Sequence, residues 1–262
     1  MKTVKETALV TGASSGIGLE FARIFSKNGS DLILIARSEE KLYALAKELE
    51  QAYGIKAKVM AKDLSDKNAP EEIYNELKKE KIEIDYLVNN AGFGGYGKYY
   101  ETDWKKEEDM IQVNITALAH LTKLFVKDMV KRNNGRILNV ASTAAFQPGP
   151  LMSVYYAGKA FVLSLSEAMA YELKDTKVKV TCFCPGPVKS NFHIAANIKE
   201  SKLTKGKNIP TSYEAALYGY NAMMKGKRIA IEGFMNKALA FAVRFLPRKM
   251  VLATVYKLQE NR

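Results

Sequence analysis

Residues 11–18 read Thr11-Gly12-Ala13-Ser14-Ser15-Gly16-Ile17-Gly18 and join a short apolar run to an amphipathic stretch. The run before them, Thr7–Val10, is typical of a buried strand, and the pattern after them, Ile17–Lys27, is typical of a helix. Glycines let a strand-to-helix turn close tightly around a pyrophosphate, and the helix N-terminus attracts the anion. The stretch predicts a phosphate-binding turn with contacts from Gly12, Ser14, Ser15, Gly16, Ile17 and Gly18.

Strand-like runs and helical patterns alternate along the rest of the chain. The runs are Leu32–Ala36, Ala57–Ala61, Tyr86–Val88, Arg136–Val140, Val178–Cys184 and Arg228–Ile231. The amphipathic stretches between them are Glu39–Gln51, Pro70–Glu80, Val113–Lys131 and Val154–Leu173. This alternation predicts βαβ units, and nearly continuous apolar strands predict a sheet covered on both faces. We predict one α/β domain over residues 1–262, built on a doubly wound parallel sheet.

The composition is that of an ordinary globular protein, with 47% hydrophobic and 26% charged residues in 262. No window holds 18 consecutive apolar residues, and the N-terminus has no apolar stretch of signal-peptide length. We therefore expect a cytoplasmic protein. Cys182 and Cys184 are too few for a disulfide framework, and we expect small buried hydrophobes there and no metal site.

The positive charge is concentrated in the last quarter of the chain. Residues 199–262 hold thirteen Lys/Arg and four Glu, so they carry +9 of the net +12. Such asymmetry indicates either an anionic neighbour (acidic lipid, a phosphorylated carrier or nucleic acid) or simply a solvated basic face. No nucleic-acid module accompanies the charge, so we expect no nucleic-acid partner.

The end of the second strand indicates which nicotinamide cofactor the chain prefers. NAD sites usually place a carboxylate there to bind the adenosine ribose. This strand instead ends Ala36-Arg37-Ser38, and the Arg37 guanidinium suits a 2′-phosphate, with Lys41 one helical turn further on. Glu39 and Glu40 fit the first turn of the next helix, where acids complement the dipole. The sequence predicts NADP(H) rather than NAD(H).

The strongest chemical signal is Tyr155-Tyr156-Ala157-Gly158-Lys159. Tyr155 and Lys159 are i and i+4 in a helical pattern and share one face. An ammonium near a phenol, together with a cationic nicotinamide in the oxidised complex, favours the phenolate, so we predict a lowered pKa for Tyr155 and a role in proton transfer. Ser142 lies 13 residues earlier at the end of a strand, where its hydroxyl can bind a substrate oxygen or merely cap a turn.

Together with Asn89-Asn90-Ala91-Gly92 and Pro185-Gly186, these motifs resemble the classical short-chain dehydrogenase/reductase family in order and spacing. The resemblance runs from Thr7 to about Ser190 and implies a Rossmann-type sheet of seven strands and a homodimer or homotetramer. It also implies that the Asp63 carboxylate, beside Leu64, accepts from the adenine amine. Asn114 would position Lys159 through a water. Further cofactor contacts would come from Asn90, Ala91, Gly92, Tyr155, Lys159, Pro185, Gly186, Val188 and Ser190.

Within the family, the chain looks most like the ketoacyl and hydroxysteroid reductases. The resemblance implies an NADPH-dependent carbonyl reductase or alcohol dehydrogenase that moves a hydride between nicotinamide and a ketone or secondary alcohol. The alternative is a non-catalytic NADP-binding regulatory protein with the same fold. The catalytic candidates Ser142, Tyr155, Lys159 and Asn114 argue against it, because a sensor needs no proton relay.

Aromatic, uncharged loops follow the fourth, fifth and sixth strands and predict an apolar carbonyl substrate. They are Phe93–Tyr96, Ala144–Phe146 and Asn191–His193, with residues 191–226 as a substrate lid region beyond the core of residues 1–190. Residues 233–262 hold two apolar helical patterns, Ala238–Leu246 and Met250–Leu258, around Pro247-Arg248-Lys249. These C-terminal helices suit peripheral contact with a membrane, packing on a dimer partner, or a roof over the substrate pocket.

Overall fold

The computed structural model describes residues 5–189 and 209–260. Ser190, the predicted substrate loop Asn191–His193 and the basic stretch Lys199–Lys207 therefore lie outside the described residues.

Seven parallel strands form one sheet in the order β3-β2-β1-β4-β5-β6-β7. They are β1 Thr7–Thr11, β2 Asp31–Ala36, β3 Ala57–Ala61, β4 Tyr86–Asn89, β5 Arg136–Val140, β6 Lys179–Cys184 and β7 Ile229–Ile231. The chain winds outward from β1 in one direction and then from β4 in the other, which leaves a crevice between those two strands. The predicted doubly wound, Rossmann-type sheet is confirmed, and each strand lies within one residue of its predicted limits.

Helices cover both faces of this sheet. They are α1 Gly16–Lys27, α2 Glu39–Tyr53, α3 Ala69–Lys79, α4 Trp104–Ile111, α5 Leu118–Lys131, α6 Ser153–Glu172, α7 Ser212–Met224, α8 Phe234–Ala242 and α9 Arg248–Gln259. On one face Phe21 and Phe25 of α1 pack with α7 over Phe183. On the other, Ile73 of α3 and Phe125 of α5 cover the sheet. The predicted two-faced burial is confirmed.

The sequence patterns missed α4 and α7. Helix α4 is short and mostly charged, and it buries only Glu107 and Met110, so its apolar periodicity is weak. Helix α7 lies in the predicted lid region, but it packs against α1 with Ala215 and Ala216 fully buried and belongs to the core. Its start had a readable signal, since Thr211 and Glu214 form a capping box.

The predicted single helix over Val113–Lys131 is wrong at its start. Residues Gln112–Ala117 form a π-helical turn that connects α4 to α5, and buried Asn114 lies inside it. Such turns insert a residue into the helical ladder, and they occur frequently at functional sites. The turn changes the direction in which Asn114 faces relative to a continuous helix.

The last two helices and the short connection between them make up the C-terminal hairpin, residues 234–259. Helix α8 contacts the turn after β5, and α9 contacts the cluster around Tyr156. The first helix of the hairpin, α8, begins and ends four residues earlier than predicted. The helix begins directly after Gly233, which occupies the N-cap position. No helix in the described ranges is both long and apolar enough to cross a bilayer. Cys182 and Cys184 of β6 are fully buried, as predicted.

Candidate active site

One cleft of about 520 Å³ lies at the carboxyl ends of the strands, along the crevice between β1 and β4. It brings together most of the residues predicted to form a site. Those lining it are Gly12, Ser14, Ser15, Gly16, Ile17, Arg37, Asp63, Leu64, Asn90, Ala91, Gly92, Ser142, Tyr155, Lys159, Pro185, Gly186 and Val188. Gly18 and Asn114 lie just behind its wall.

The glycine-rich turn forms a cradle that side chains would fill. Gly12 has a left-handed backbone with φ of 68°. A Cβ on Gly18 would lie 2.2 Å from the Gly12 carbonyl oxygen, so this glycine lets α1 pack against the turn and does not itself reach the cleft. The Ser15 side chain makes no capping bond at the start of α1. The first turn of α1 therefore presents backbone N–H groups to the cleft, which fits a pyrophosphate.

Hydrogen bonds join this turn to the loop after β4. The Thr11 hydroxyl accepts from the backbone N–H groups of Asn90 and Ala91, each at 2.9 Å. The Asn90 amide donates to the Thr11 carbonyl at 3.0 Å. Two sides of the predicted cofactor channel are thus held at a set distance before any ligand arrives.

The far end of the cleft carries the residues predicted to bind the adenosine. Arg37 is exposed at its edge, while Glu39 and Glu40 lie in the first turn of α2, as predicted. The Asp63 carboxylate accepts from the backbone N–H of Ser65 at 2.9 Å and from its hydroxyl at 2.8 Å. These bonds hold the Asp63 carboxylate at the cleft and leave its second oxygen available to an amine.

Tyr155 lies in the first turn of α6 and reaches the cleft from its wall. It makes a hydrogen bond with Ser142, whose oxygen also accepts from the Ala144 N–H at 3.1 Å. Ser142 thus caps the turn after β5, and its contact with the phenol places its hydroxyl where a substrate oxygen could also bind. Burial raises the pKa of Tyr155 to about 12, against the opposing effect of the Ser142 bond. The phenol is therefore protonated at neutral pH in this arrangement, and the lowering predicted with a bound cationic nicotinamide stays a prediction.

Lys159, one turn further along α6, is almost completely enclosed, with 5% of its surface exposed. Its Nζ donates to the Val140 carbonyl at 2.8 Å and lies 5.7 Å from the centre of the Tyr155 ring. Burial lowers the pKa of Lys159 to about 8. Its ammonium is therefore easily deprotonated for a lysine, a property suited to a proton relay.

The Asn114 side chain is occupied by the loop after β4. Its Nδ2 donates to the Phe93 carbonyl at 2.8 Å, and its Oδ1 accepts from the Phe93 N–H at 3.1 Å. A Cβ added to Gly92 would lie 2.9 Å from that Oδ1 and 3.7 Å from the Lys159 Nζ. Asn114 thus adjoins Lys159 across Gly92, and beyond these two bonds its carboxamide keeps one N–H and one oxygen lone pair that a water could use.

A buried polar ladder supports the site from behind. The Asn89 amide donates to the Thr122 hydroxyl at 2.8 Å and to the Asn139 Oδ1 at 2.9 Å. Asn139 donates in turn to the Ser166 hydroxyl on α6 at 3.0 Å. The ladder joins β4 and β5 to the helix that carries Tyr155 and Lys159, and its buried partners leave little room for other arrangements.

The substrate side of the cleft is aromatic, as predicted for the loop after β4. Phe93, Tyr96 and Ala144 line it, whereas Phe146 packs into a separate apolar cluster and does not. Tyr156 and Gln259 also line it, and the sequence reasoning missed both. The motif assigned Tyr155 alone, and nothing at the end of the chain marked Gln259.

Three comparisons with known proteins agree with this geometry. The family model for short chain dehydrogenases matches residues 6–201, and the chain belongs to that family. The very-long-chain 3-oxoacyl-CoA reductase of Anas platyrhynchos is 36% identical over 219 residues, covering 81% of this chain and 67% of that protein. The 17-beta-hydroxysteroid dehydrogenase type 3 of Mus musculus is 32% identical over 206 residues, covering 77% of this chain and 66% of that protein.

A solved structure shows the same fold over nearly the whole chain. The short-chain dehydrogenase from Sphingobium yanoikuyae, solved in complex with NADPH, has a TM-score of 0.83 and 28% identity. The match covers 94% of this chain and 95% of that one. The chain is thus an oxidoreductase of a family that binds nicotinamide cofactors, and its relatives confirm the ketoacyl and hydroxysteroid reductase branch. It spans about two thirds of the length of the two curated relatives.

Proposed function

We propose that this protein is an NADPH-dependent carbonyl reductase that acts on bulky apolar ketones. One observation carries the proposal. A single cleft has Arg37 at one end and a hydrogen-bonded Tyr155 and Ser142, with Lys159 one turn away, at the other. This arrangement can hold a phosphorylated dinucleotide and donate a proton beside it.

Support for NADPH comes from charge at the adenosine end. Arg37 is exposed at the cleft edge, and its planar guanidinium suits bidentate contacts to a phosphate. Lys62 is the other cation that lines that end of the cleft. Its Nζ lies 2.6 Å from Glu72 Oε2, so it already forms an ion pair. Arg37 has no ion-pair partner within the described residues and would provide the 2′-phosphate contact.

The proposed chemistry divides between cofactor and protein. When bound, the reduced nicotinamide supplies a hydride to the substrate carbon. Ser142 and Tyr155 hydrogen-bond the carbonyl oxygen as negative charge develops on it. Tyr155 gives its proton to that oxygen, which yields the alcohol, and Lys159 passes a replacement proton to the phenolate. Tyr155 holds the proton that it donates, and the Lys159 ammonium one turn along α6 favours the phenolate that remains after the transfer.

Support for a bulky apolar ketone comes from the cleft lining. Phe93, Tyr96, Met152 and Tyr156 face the space next to Tyr155, with no charged side chain among them. Apolar pockets with a few convergent polar groups are typical of small-molecule sites. The two curated relatives carry the names of enzymes that act on an oxoacyl chain and on a steroid.

The test is a panel of ketones, from short aliphatic to aryl, steroidal and 3-oxoacyl, with cofactor oxidation followed optically. We expect turnover of the larger apolar members with NADPH and little with sugars. The Tyr155→Phe variant serves as the blank for non-enzymatic oxidation. If the protein binds NADPH tightly and reduces none of these ketones, the non-catalytic alternative gains and the proposal fails.

A further inference from the structure

The C-terminal hairpin has an inner face that belongs to the cleft. On α9, Val251, Val255 and Gln259 recur every four residues; Val251 and Gln259 are buried, and Val255 packs against the cluster around Tyr156. The Gln259 Nε2 donates to the Tyr156 hydroxyl at 2.5 Å, and the backbone carbonyl of Gln259 accepts from the Tyr96 hydroxyl at 2.9 Å. Gln259 therefore ties the end of α9 to the wall of the substrate pocket.

The opposite face of the hairpin is apolar and exposed. Phe234, Phe241 and Phe245 are 83%, 62% and 73% exposed, and the rings of the last two lie 5.1 Å apart. Within the described residues, ten of the nineteen exposed large hydrophobic side chains lie in these 26 positions. They include Met235, Leu239, Leu246, Met250, Leu252, Tyr256 and Leu258. So many exposed apolar side chains within one short segment indicate an interaction surface.

The charges on the hairpin distinguish between partners. Its cations are all exposed, and none is within ion-pair distance of a carboxylate in the parts of the chain the structure describes. They are Lys237, Arg244, Arg248, Lys249 and Lys257. Residues 233–260 contain one acid, Glu260. A second copy placed face to face would bring like charges together, whereas an anionic lipid surface would neutralise them while its acyl region accepts the aromatic rings.

We propose that the C-terminal hairpin docks this protein on an anionic lipid surface, with its apolar face in the headgroup region. Because the same helix α9 forms a wall of the cleft, docking places the substrate pocket beside the lipid. An apolar ketone dissolved in the bilayer then has a short route to Tyr155. This last step rests on the proposed function, while docking itself does not.

The experiment is co-sedimentation of the full-length protein with vesicles of phosphatidylcholine alone or mixed equally with phosphatidylserine, at low and high salt. We expect strong pelleting with the anionic vesicles at low salt only. Arg248→Gln with Lys249→Gln should weaken partitioning about 25-fold, since each cation near an anionic surface contributes about fivefold. Phe241→Ser with Phe245→Ser should also weaken pelleting with the anionic vesicles at low salt, because the apolar contacts with the acyl region are lost.

Two controls keep docking separate from folding and catalysis. Lys47→Gln with Lys123→Gln removes the same charge from exposed sites on other helices and should leave partitioning unchanged. Reduction of a water-soluble ketone without vesicles should proceed at the same rate in every variant as in wild type. If wild type itself does not reduce the ketone, that result contradicts the proposed function and not the docking. The docking proposal is overturned if the protein does not pellet with anionic vesicles, or if the hairpin variants pellet as well as wild type. It is also overturned if the hairpin variants convert a stable dimer to monomer, because a second copy would then cover the face.

Discussion

The side chain of Gln259 donates a 2.5 Å hydrogen bond to the hydroxyl of Tyr156, a residue 103 positions earlier in the chain. Tyr156 directly follows the proposed acid Tyr155 in the chain. The two rings pack edge to face, with their centroids 6.1 Å apart. Gln259 of α9 thus contacts α6, the helix that carries Tyr155 and Lys159. Because Gln259 is 4% exposed, this bond is made away from competing water.

Removing that contact should affect both stability and substrate binding. We expect Gln259→Ala to lower the free energy of unfolding by about 1–3 kcal/mol, because the buried Tyr156 hydroxyl loses its partner. The KM for apolar ketones should rise with little change in NADPH affinity, since the mutation loosens only the substrate wall. Urea unfolding and steady-state kinetics measure the two effects. Thr254→Ala, on the exposed side of α9, is the matched control, and an unchanged KM in Gln259→Ala would count against the wall.

Arg37→Ala should remove the preference for the phosphorylated cofactor. Hydrogen bonds to charged groups contribute about 1.5–3 kcal/mol, so wild type should bind NADPH at least about tenfold more tightly than NADH. The variant should bind the two alike, because only the 2′-phosphate contact is lost. Fluorescence titration with both cofactors measures the ratio. Lys47 is exposed on the adjoining helix α2, and Lys47→Ala should keep the wild-type ratio of the two cofactor affinities. Equal affinities in wild type would show that the assignment to NADPH is wrong.

Tyr155→Phe should abolish nearly all turnover while NADPH still binds. Positioned acid catalysis contributes about 10²- to 10⁴-fold in rate, and the substitution removes the proton donor alone. Tyr156→Phe is the control, since that hydroxyl is bound to Gln259 and should not be the acid. Single-turnover kinetics with titrated NADPH separate the two effects. Full activity in Tyr155→Phe, or a comparable loss in Tyr156→Phe, would mean that the acid is a different group.

Burial of Lys159 predicts a specific dependence of stability on pH. Its pKa is about 8 in the folded protein against an ordinary value of 10.5, so the unfolded chain binds more protons between those two values. Stability contributed by this group therefore rises as the pH increases from about 8 to 10.5, by roughly 3 kcal/mol in all.

The measurement is urea unfolding of wild type and Lys159→Met at pH values across that window. Wild type should gain stability relative to Lys159→Met as the pH rises. The difference in stability between wild type and Lys47→Met should stay constant, because both proteins keep Lys159. A constant difference between wild type and Lys159→Met would indicate that the ammonium is well solvated in the folded protein.

Local patterns were enough to predict the framework of the fold and much of the site. Strand limits followed from short apolar runs, and the i, i+4 spacing placed Tyr155 and Lys159 on one face, because both properties depend only on residues near in sequence. The carboxyl ends of parallel strands meet at one edge, so motifs after β1, β4, β5 and β6 were bound to converge there. The family resemblance supplied the expected roles, and the expected oligomer and cytoplasmic location stay predictions.

What the tertiary structure decided depends on contacts between distant segments. The pKa of Tyr155 is raised because burial, which no spacing reveals, outweighs a hydrogen bond with Ser142. Gln259 reaches the substrate pocket only because α9 folds back across the cleft. The same folding buries Val251 and leaves Phe241 exposed, although both are apolar residues of apolar helices. Sequence alone identified those helices as apolar, with a membrane, a dimer partner and the substrate pocket as possible neighbours. Only their packing determined which residues lie at the pocket and which meet the surroundings.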